Sequence, residues 1–208
     1  MGANCTPSAP GFLIVFEGID GSGKSTQAKL LTDKLLQNGY DTILTREPGG
    51  TSLSDTLGIW LKQFPNRLDL TELFLFSAAR SEHVNQLIAP ALSRGKIVVC
   101  DRFTGSTIAY QGYGRGIDIN FIHLVNAQST ANVSALLTVL LDIPLEVGQA
   151  RTIHNDRDVF EQEKTHFYKK VRDGYLASAA SDPERWMILD GTASSEDLSE
   201  IIWNKVLK

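Results

Sequence analysis

The sequence predicts an α/β domain built on a parallel sheet of about five strands, with helices on both faces and a mobile lid. Three observations carry this expectation. Short apolar runs alternate with longer amphipathic stretches, the pattern of βαβ units whose sheet is covered on both sides. The chain of 208 residues is long enough to bury roughly 70% of its unfolded surface in one core without disulfide or metal staples. Between the first apolar run and the first amphipathic stretch lies Gly18-Ile19-Asp20-Gly21-Ser22-Gly23-Lys24-Ser25, a glycine-rich turn.

Met1–Pro10 is small, polar and proline-containing and is read as a flexible leader, with residues 11–208 as one domain. The run Phe12–Phe16 is the first strand, and the helix Ser25–Asn38 is closed by Gly39 in the position after the C-cap. A second strand is expected over Tyr40–Thr45, then helices over Leu53–Phe64 and Thr71–Ser93, the latter closed by Gly95. The third strand, Lys96–Cys100, leads into a helix over Gly105–Gln111. Gly112, Gly114 and Gly116 follow that helix and have no preceding strand, so they are read as a flexible loop and not as a dinucleotide fingerprint. A helix over Asn120–Ala131, the strand Leu136–Leu141 and a helix over Leu145–Ile153 come next. Thr152–Asp158 is polar and helix-poor, marking a lid at about 150–161. The helix Gln162–Ser181, the strand Trp186–Leu189 and the helix Glu196–Val206 complete the pattern.

The glycine-rich turn satisfies G-x-x-x-x-G-K-[ST] in the strand-then-helix context that gives the pattern its meaning, so the fold is of the P-loop NTPase type. Its glycines let successive backbone N–H groups curl around a phosphate chain, and the helix N-terminus adds partial positive charge. Gly18, Ile19, Asp20, Gly21, Ser22, Gly23, Lys24, Ser25 and Thr26 are the expected ATP and phosphate-binding set. Lys24 supplies a full positive charge and Ser25 a hydroxyl ligand for Mg²⁺. A GTPase reading fails, because the only Asn-Lys, Asn204-Lys205, continues Val206-Leu207, and the only other D-x-x-G, Asp55 to Gly58, falls on a helix.

The third strand delivers Asp101-Arg102-Phe103 at its carboxyl end, where ligands bind in such sheets. Asp101 can orient Mg²⁺ as a Walker-B carboxylate does, and Arg102 can hold a phosphate. The second strand likewise ends in Arg46-Glu47-Pro48-Gly49-Gly50. Arg80 follows Phe76 by four residues, so on a helix the ring and the guanidinium share a face.

The ordered set Phe16 to Gln27, Thr45 to Thr51, Phe76-Ser77-Ala78-Ala79-Arg80, Asp101-Arg102-Phe103, Ser106-Thr107 and Ala109-Tyr110-Gln111-Gly112 resembles the thymidylate kinase family, from Phe12 to about Lys208. The resemblance implies phosphoryl transfer from ATP to dTMP with Mg²⁺, giving dTDP and ADP. It implies that Asp20 accepts the 3′-hydroxyl and that Arg46 and Arg102 clamp the acceptor phosphate. Phe76 would stack on thymine and Arg80 would donate to a base oxygen, with Thr107 and Gln111 along the base and Tyr110 where a 2′-hydroxyl would fit. Lys24, Arg102, Asp101, Arg157 and Arg151 form the implied catalytic set. A homodimer through helices flanking the sheet rests on the resemblance alone. Another small P-loop kinase with a different monophosphate acceptor, or a non-catalytic ATP-binding module, stands as the alternative.

The chain departs from the family pattern in three places. Gly21 occupies the position where some members carry a phosphate-loop arginine, which shifts that duty to the lid. There the expected Asp-Arg-x-Glu reads Asp158-Val159-Phe160-Glu161, leaving Arg157, which precedes Asp158 instead of following it, and Arg151 as the candidates. Asn132-Val133-Ser134-Ala135 replaces the usual Pro-Asp before the fourth strand.

Composition bounds the rest. With 20 Lys+Arg against 24 Asp+Glu the net charge is -4, and no basic block exists, which argues against nucleic acid as a partner. No apolar run approaches the roughly 18 residues of a membrane span. Cys5 and Cys100 have no zinc or CxxC spacing, which suits a reducing cytoplasm. Met1-Gly2-Ala3-Asn4-Cys5-Thr6 meets a permissive myristoylation pattern, but without basic residues to assist anchoring it is read as plain leader.

Overall fold

The computed structural model describes residues 11–64, 66–152 and 161–206; the leader and most of the stretch read as a lid, Arg157 included, lie outside the described residues. The five strands β1 (Leu13–Glu17), β2 (Thr42–Arg46), β3 (Ile97–Asp101), β4 (Leu137–Asp142) and β5 (Trp186–Asp190) form one sheet in the order β2-β3-β1-β4-β5. Every neighbouring pair is parallel. The helices are α1 (Lys24–Gln37), α2 (Ser52–Gln63), α3 (Asp69–His83), α4 (Ala89–Ser93), α5 (Thr104–Thr107), α6 (Ile119–Ser129), α7 (Leu145–Thr152), α8 (Glu161–Ser181) and α9 (Ser195–Val206).

Alternate residues of the central strands feed opposite faces, as a sheet covered on both sides requires. On one face Ile14, Phe16, Val99 and Val139 pack against Ala28, Leu31 and Leu35 of α1 and Leu198 and Ile202 of α9. On the other, Leu13, Val15, Val98 and Cys100 meet Val84, Ile88, Ala91 and Phe103. A third cluster joins Ile19, Leu140 and Ile143 to Val171, Tyr175 and Ala179 of α8. Among the described residues, no helix is long and apolar enough to cross a membrane.

The expected elements are all present, with instructive differences. Each strand runs one residue beyond its apolar run or more, to end on a charged residue: Glu17, Arg46, Asp101, Asp142 and Asp190. The long helix expected over Thr71–Ser93 starts at Asp69 and is interrupted by a π-helical turn, Val84–Ile88. Pro90 follows that turn; it has no N–H to give back to the preceding turn, and the wider hydrogen-bond spacing falls where that bond is missing.

The reading of Gly112, Gly114 and Gly116 as a flexible loop is corrected. Gly112 and Gly114 lie in a second π-helical turn, Ile108–Gly114, that continues α5. A Cβ on Gly114 would lie 2.6 Å from the Phe167 ring of α8, so the small residue lets two helices approach closely. Only Gly116, at φ +80°, lies in the turn that follows.

Candidate active site

The loop between β1 and α1 has the curled conformation the motif predicts. Gly18 has φ +141°, and a Cβ there would lie 2.6 Å from the Leu141 carbonyl oxygen, so no other residue fits without rearrangement. Residues Asp20 to Thr26 line a cleft of about 690 Å³ together with Asp101, Arg102 and Arg151. Gly18 and Ile19, expected in the same set, do not line it. The Ile19 side chain is buried in the core, and its carbonyl accepts a 2.8 Å bond from Lys24 Nζ. Burial pushes the Lys24 ammonium down to about 8, and the Arg102 charge adds to this against the pull of Asp101, Asp20 and Glu17.

Ser25 Oγ donates to Asp101 Oδ2, while Asp101 Oδ1 is buried with no partner among the described residues. A hydroxyl beside a carboxylate with an unused lone pair, next to a phosphate cradle, is an oxygen-donor set that suits Mg²⁺. Among the described residues no group of three or more His, Cys, Asp or Glu could hold a metal ion. A metal there would therefore take its remaining ligands from nucleotide and water.

A second cavity, about 660 Å³, opens beside the first. It is lined by Asp20, Arg46, Phe76, Arg80, Arg102, Thr107, Tyr110 and Gln111, so all eight residues expected to hold the acceptor converge on it. They come from the carboxyl ends of β1, β2 and β3, from α3 and from the helical segment after β3. Asp20 and Arg102 line both cavities and form an ion pair with each other.

Arg102 sits at φ +72°, a conformation a non-glycine residue adopts only when its surroundings enforce it. Glu17 does much of that enforcing. Its Oε1 accepts the backbone N–H groups of Phe103 at 2.9 Å and Ser106 at 3.0 Å, and its Oε2 accepts the Ser106 hydroxyl at 2.7 Å. Complete burial pushes the Glu17 carboxyl up against these hydrogen bonds and the Arg102 charge, which pull it down. Arg102 Nη1 donates to the Gly18 carbonyl at 3.1 Å and to the Tyr175 hydroxyl at 3.0 Å. The guanidinium lies 5.4 Å over the Tyr110 ring.

Arg46 is exposed at the end of β2, in register with Asp101. Arg80 is buried and rigidly held. It donates to Glu47 Oε2 at 2.7 Å, Thr107 Oγ1 at 2.8 Å, Asn126 Oδ1 at 2.9 Å and the Phe103 carbonyl at 3.0 Å, which leaves one of its five N–H groups uncommitted. Phe76 lies one turn away on α3. Gln111 is buried and donates to Glu72 at 2.7 Å. The Tyr110 hydroxyl is buried without a partner among the described residues, and burial pushes its phenol well up. Arg151, at the end of α7, reaches the phosphate loop from the other side, donating to the carbonyls of Gly21 at 3.2 Å and Gly191 at 3.1 Å.

Sequence assigns no role to Glu17, Glu72, Ser106 or Tyr175, although Glu17 and Ser106 stand within the motifs that carry the family resemblance. Glu72 had a signal, standing four residues before Phe76 on the same helical face. Tyr175 had none, since 73 residues separate it from Arg102.

A family model described as thymidylate kinase matches residues 16–202. The chain is 44% identical over 201 residues to a thymidylate kinase of Geobacter sp. (strain M21), covering 92% of this chain and 89% of that relative. It is 44% identical over 206 residues to one of Geotalea uraniireducens (strain Rf4), covering 95% and 97%. The crystal structure of thymidylate kinase from Ehrlichia chaffeensis aligns with a TM-score of 0.79 at 36% identity, over 96% of this chain and 100% of that one. With the curled phosphate-loop motif and two adjoining cavities in one fold, and with these matches over most of its length, this chain belongs to the thymidylate kinase family.

Proposed function

We propose that the chain transfers the γ-phosphoryl group of ATP to the 5′-phosphate of dTMP, giving dTDP and ADP for dTTP synthesis. The observation that carries this reading is the meeting of two cavities at Asp20 and Arg102, one against the phosphate loop and one lined by an aromatic ring and buried hydrogen-bonding groups. Phosphoryl transfer needs its two nucleotides in line with their phosphates adjoining, so the reaction is governed by positioning and charge. The acceptor phosphate has a second pKa near 6 and arrives as a dianion. One of its oxygens forms the new bond to the γ-phosphorus, and the bridging oxygen leaves with ADP; no general base is needed.

Lys24 and the backbone of residues 18–25 hold the ATP phosphates, and Arg102 with Arg46 holds the acceptor phosphate beside them. Asp20, once Arg102 turns to phosphate, accepts the 3′-hydroxyl. Phe76 stacks on the base, Arg80 donates to a base oxygen, Thr107 and Gln111 line the base, and Tyr110 fills the space of a 2′-hydroxyl. Ser25 and Asp101 hold Mg²⁺, which when bound with ATP neutralises charge developing on the phosphates. With no side chain on Gly21, Arg151 supplies cationic charge from the α7 side, in company with Arg157. Two nucleotides held by this much pre-placed charge react faster because the transition state meets donors already oriented.

A second copy of the chain is the proposed partner, supported by an apolar patch on α3 and α6. There the exposed Phe74 and Phe121 rings stand 6.4 Å apart beside exposed Leu70 and Leu124, more apolar surface than scattered exposed residues would give. The buried free thiol of Cys100 fits a reducing, cytoplasmic setting. The test of function is an ATP-dependent assay across dTMP, dUMP, UMP, CMP and AMP. A preference for dTMP is expected, and nucleotide binding without turnover on any of the five would refute the reading.

A further inference from the structure

We propose that Glu72 locks the side-chain amide of Gln111 so that its carbonyl oxygen, and not its NH2 group, faces the base. The acceptor cavity then selects a pyrimidine with N–H at N3 over one that bears a lone pair there. The inference rests on the reading that this cavity takes a pyrimidine nucleoside monophosphate, and it deepens that reading by assigning the base discrimination to a residue outside the expected binding set.

The two residues are 39 positions apart and both buried, and Gln111 Nε2 donates to Glu72 Oε1 at 2.7 Å. Two guanidiniums surround the same carboxylate. Arg67 donates to Oε2 at 2.9 Å, and Arg115 donates to Oε2 at 3.1 Å and to Oε1 at 3.3 Å. Burial alone would raise the Glu72 carboxyl, but the hydrogen bonds from Arg115 and Gln111 and the two arginine charges overcome it and hold the group below the usual glutamate range. Glu72 is therefore ionised at neutral pH, and an ionised carboxylate can only accept. An amide beside it must point its NH2 group inward; the reverse orientation would set oxygen against oxygen in a buried site.

Two consequences follow at the cavity. Gln111 is left with its Oε1, to which no described residue donates, as a fixed acceptor. Arg80, pinned by Glu47, Thr107, Asn126 and the Phe103 carbonyl, keeps one Nη2 hydrogen as a fixed donor. Both residues line the same cavity as Phe76. A fixed donor and a fixed acceptor lining one cavity have the polarity that complements the O4 and N3–H edge of thymine or uracil. Cytosine presents a donor at N4 and a lone pair at N3, so it meets like against like at both positions, and neither protein group can rotate to relieve it. Buried polar groups left unpaired discriminate far more strongly than a difference in apolar contact.

Glu72→Gln tests the lock, because a neutral amide can face Gln111 with either end and no longer dictates its orientation. Measured as kcat/KM, the preference of the wild type for dTMP over dCMP should fall at least about tenfold in E72Q, with the KM for ATP unchanged. Gln111→Leu should lose the preference too, and adding E72Q to it should change the ratio by less than about twofold, since Glu72 acts through Gln111. A purely structural Glu72 would lower activity on both acceptors together and leave the ratio intact. The wild type supplies a second measurement that needs no variant: dTMP methylated at N3 should compete at least about tenfold more weakly than dTMP. An unchanged ratio in E72Q overturns the assignment, as does tight competition by the N3-methylated nucleotide if E72Q does not fold. A wild type that phosphorylates neither pyrimidine removes the reading of the cavity and this assignment with it, an outcome distinct from activity with an unaltered ratio.

Discussion

Replacing Lys24 by methionine should make the nucleotide-free protein more stable while abolishing transfer. Lys24 is the cation of the phosphate loop, yet its side chain is buried and its pKa is pushed from 10.5 down to about 8. Between those two values the unfolded chain binds more protons than the folded one, so stability rises with pH across that window. Below about pH 8 both states carry the charge, and burying it costs about 3 kcal/mol at roughly 1.4 kcal/mol for each tenfold in the proton equilibrium. Lys24→Met removes that cost and keeps the apolar stem, so stability at pH 7 should rise by about 1–3 kcal/mol, or roughly 2–10 °C in Tm for a chain of this size. Activity should fall at least about a hundredfold, as when a key electrostatic group is lost. The same shift predicts that ATP recharges the lysine as it binds. Binding should take up about half a proton at pH 8 and about 0.9 at pH 9, and affinity should weaken roughly fivefold between them. Titration calorimetry in two buffers of different ionisation enthalpy reads this directly, with Lys24→Arg as the control that cannot lose its proton. Equal proton uptake by wild type and Lys24→Arg at pH 9, or a Lys24→Met protein less stable than wild type at pH 7, would exclude a lysine charge destabilised by burial.

Arg151→Ala should lower kcat by about ten- to a hundredfold while the KM for dTMP stays within about threefold, because the guanidinium stabilises charge that grows only in transfer; an unchanged kcat in both Arg151→Ala and the Arg151→Ala, Arg157→Ala double variant would place the catalytic cation elsewhere. Tyr110→Ala should raise kcat/KM for the ribonucleotide relative to dTMP, and an equal ratio in the two proteins would make the ring ordinary packing. Glu17→Ala removes three acceptor contacts under Arg102 and should raise the KM for dTMP about tenfold with the KM for ATP nearly unchanged, while Glu17→Gln retains most of the affinity; equal effects on both substrates would argue against a positioning role. Phe74→Glu places a charge in the α3 and α6 patch and should shift the protein from dimer to monomer in light scattering, whereas a wild-type monomer would exclude the proposed interface.

The features legible in the sequence are those written in contiguous residues. Gly18 to Ser25 encodes its own backbone path, because the positive φ of Gly18, Gly21 and Gly23 and the helix start at Lys24 are local. Alternating apolar runs and amphipathic stretches set the element order, and strand ends carrying Arg46 and Asp101 mark the functional edge. The limits of that reading are equally local. Each strand outlasts its apolar run, because pairing continues to the carboxyl edge while the side chains there turn polar, Arg46 and Asp101 to line a cavity and Glu17, Asp142 and Asp190 to bond Phe103 and Ser106, Arg172, and Thr192 respectively. Gly114 looks like a loop residue until Phe167, more than 50 positions on, is seen to need the space, and Gly112 until Ile119 of α6 is seen to do the same.

What only the tertiary structure decided is which distant groups satisfy one another. The order β2-β3-β1-β4-β5 sets Asp101 beside β1 and brings Ser25 against it. Packing of α8 behind the site supplies Tyr175 to Arg102, the turn of α3 beside the helical segment after β3 joins Glu72 to Gln111, and α7 carries Arg151 back 130 positions to Gly21. A carboxylate or guanidinium in a sequence has no direction, and its role follows from the partners that burial leaves it. The chain's own order therefore determined where a phosphate-binding loop would lie, while the cavity proposed to choose acceptor, sugar and base rests on contacts that exist only once the sheet is assembled and water is excluded from between its helices.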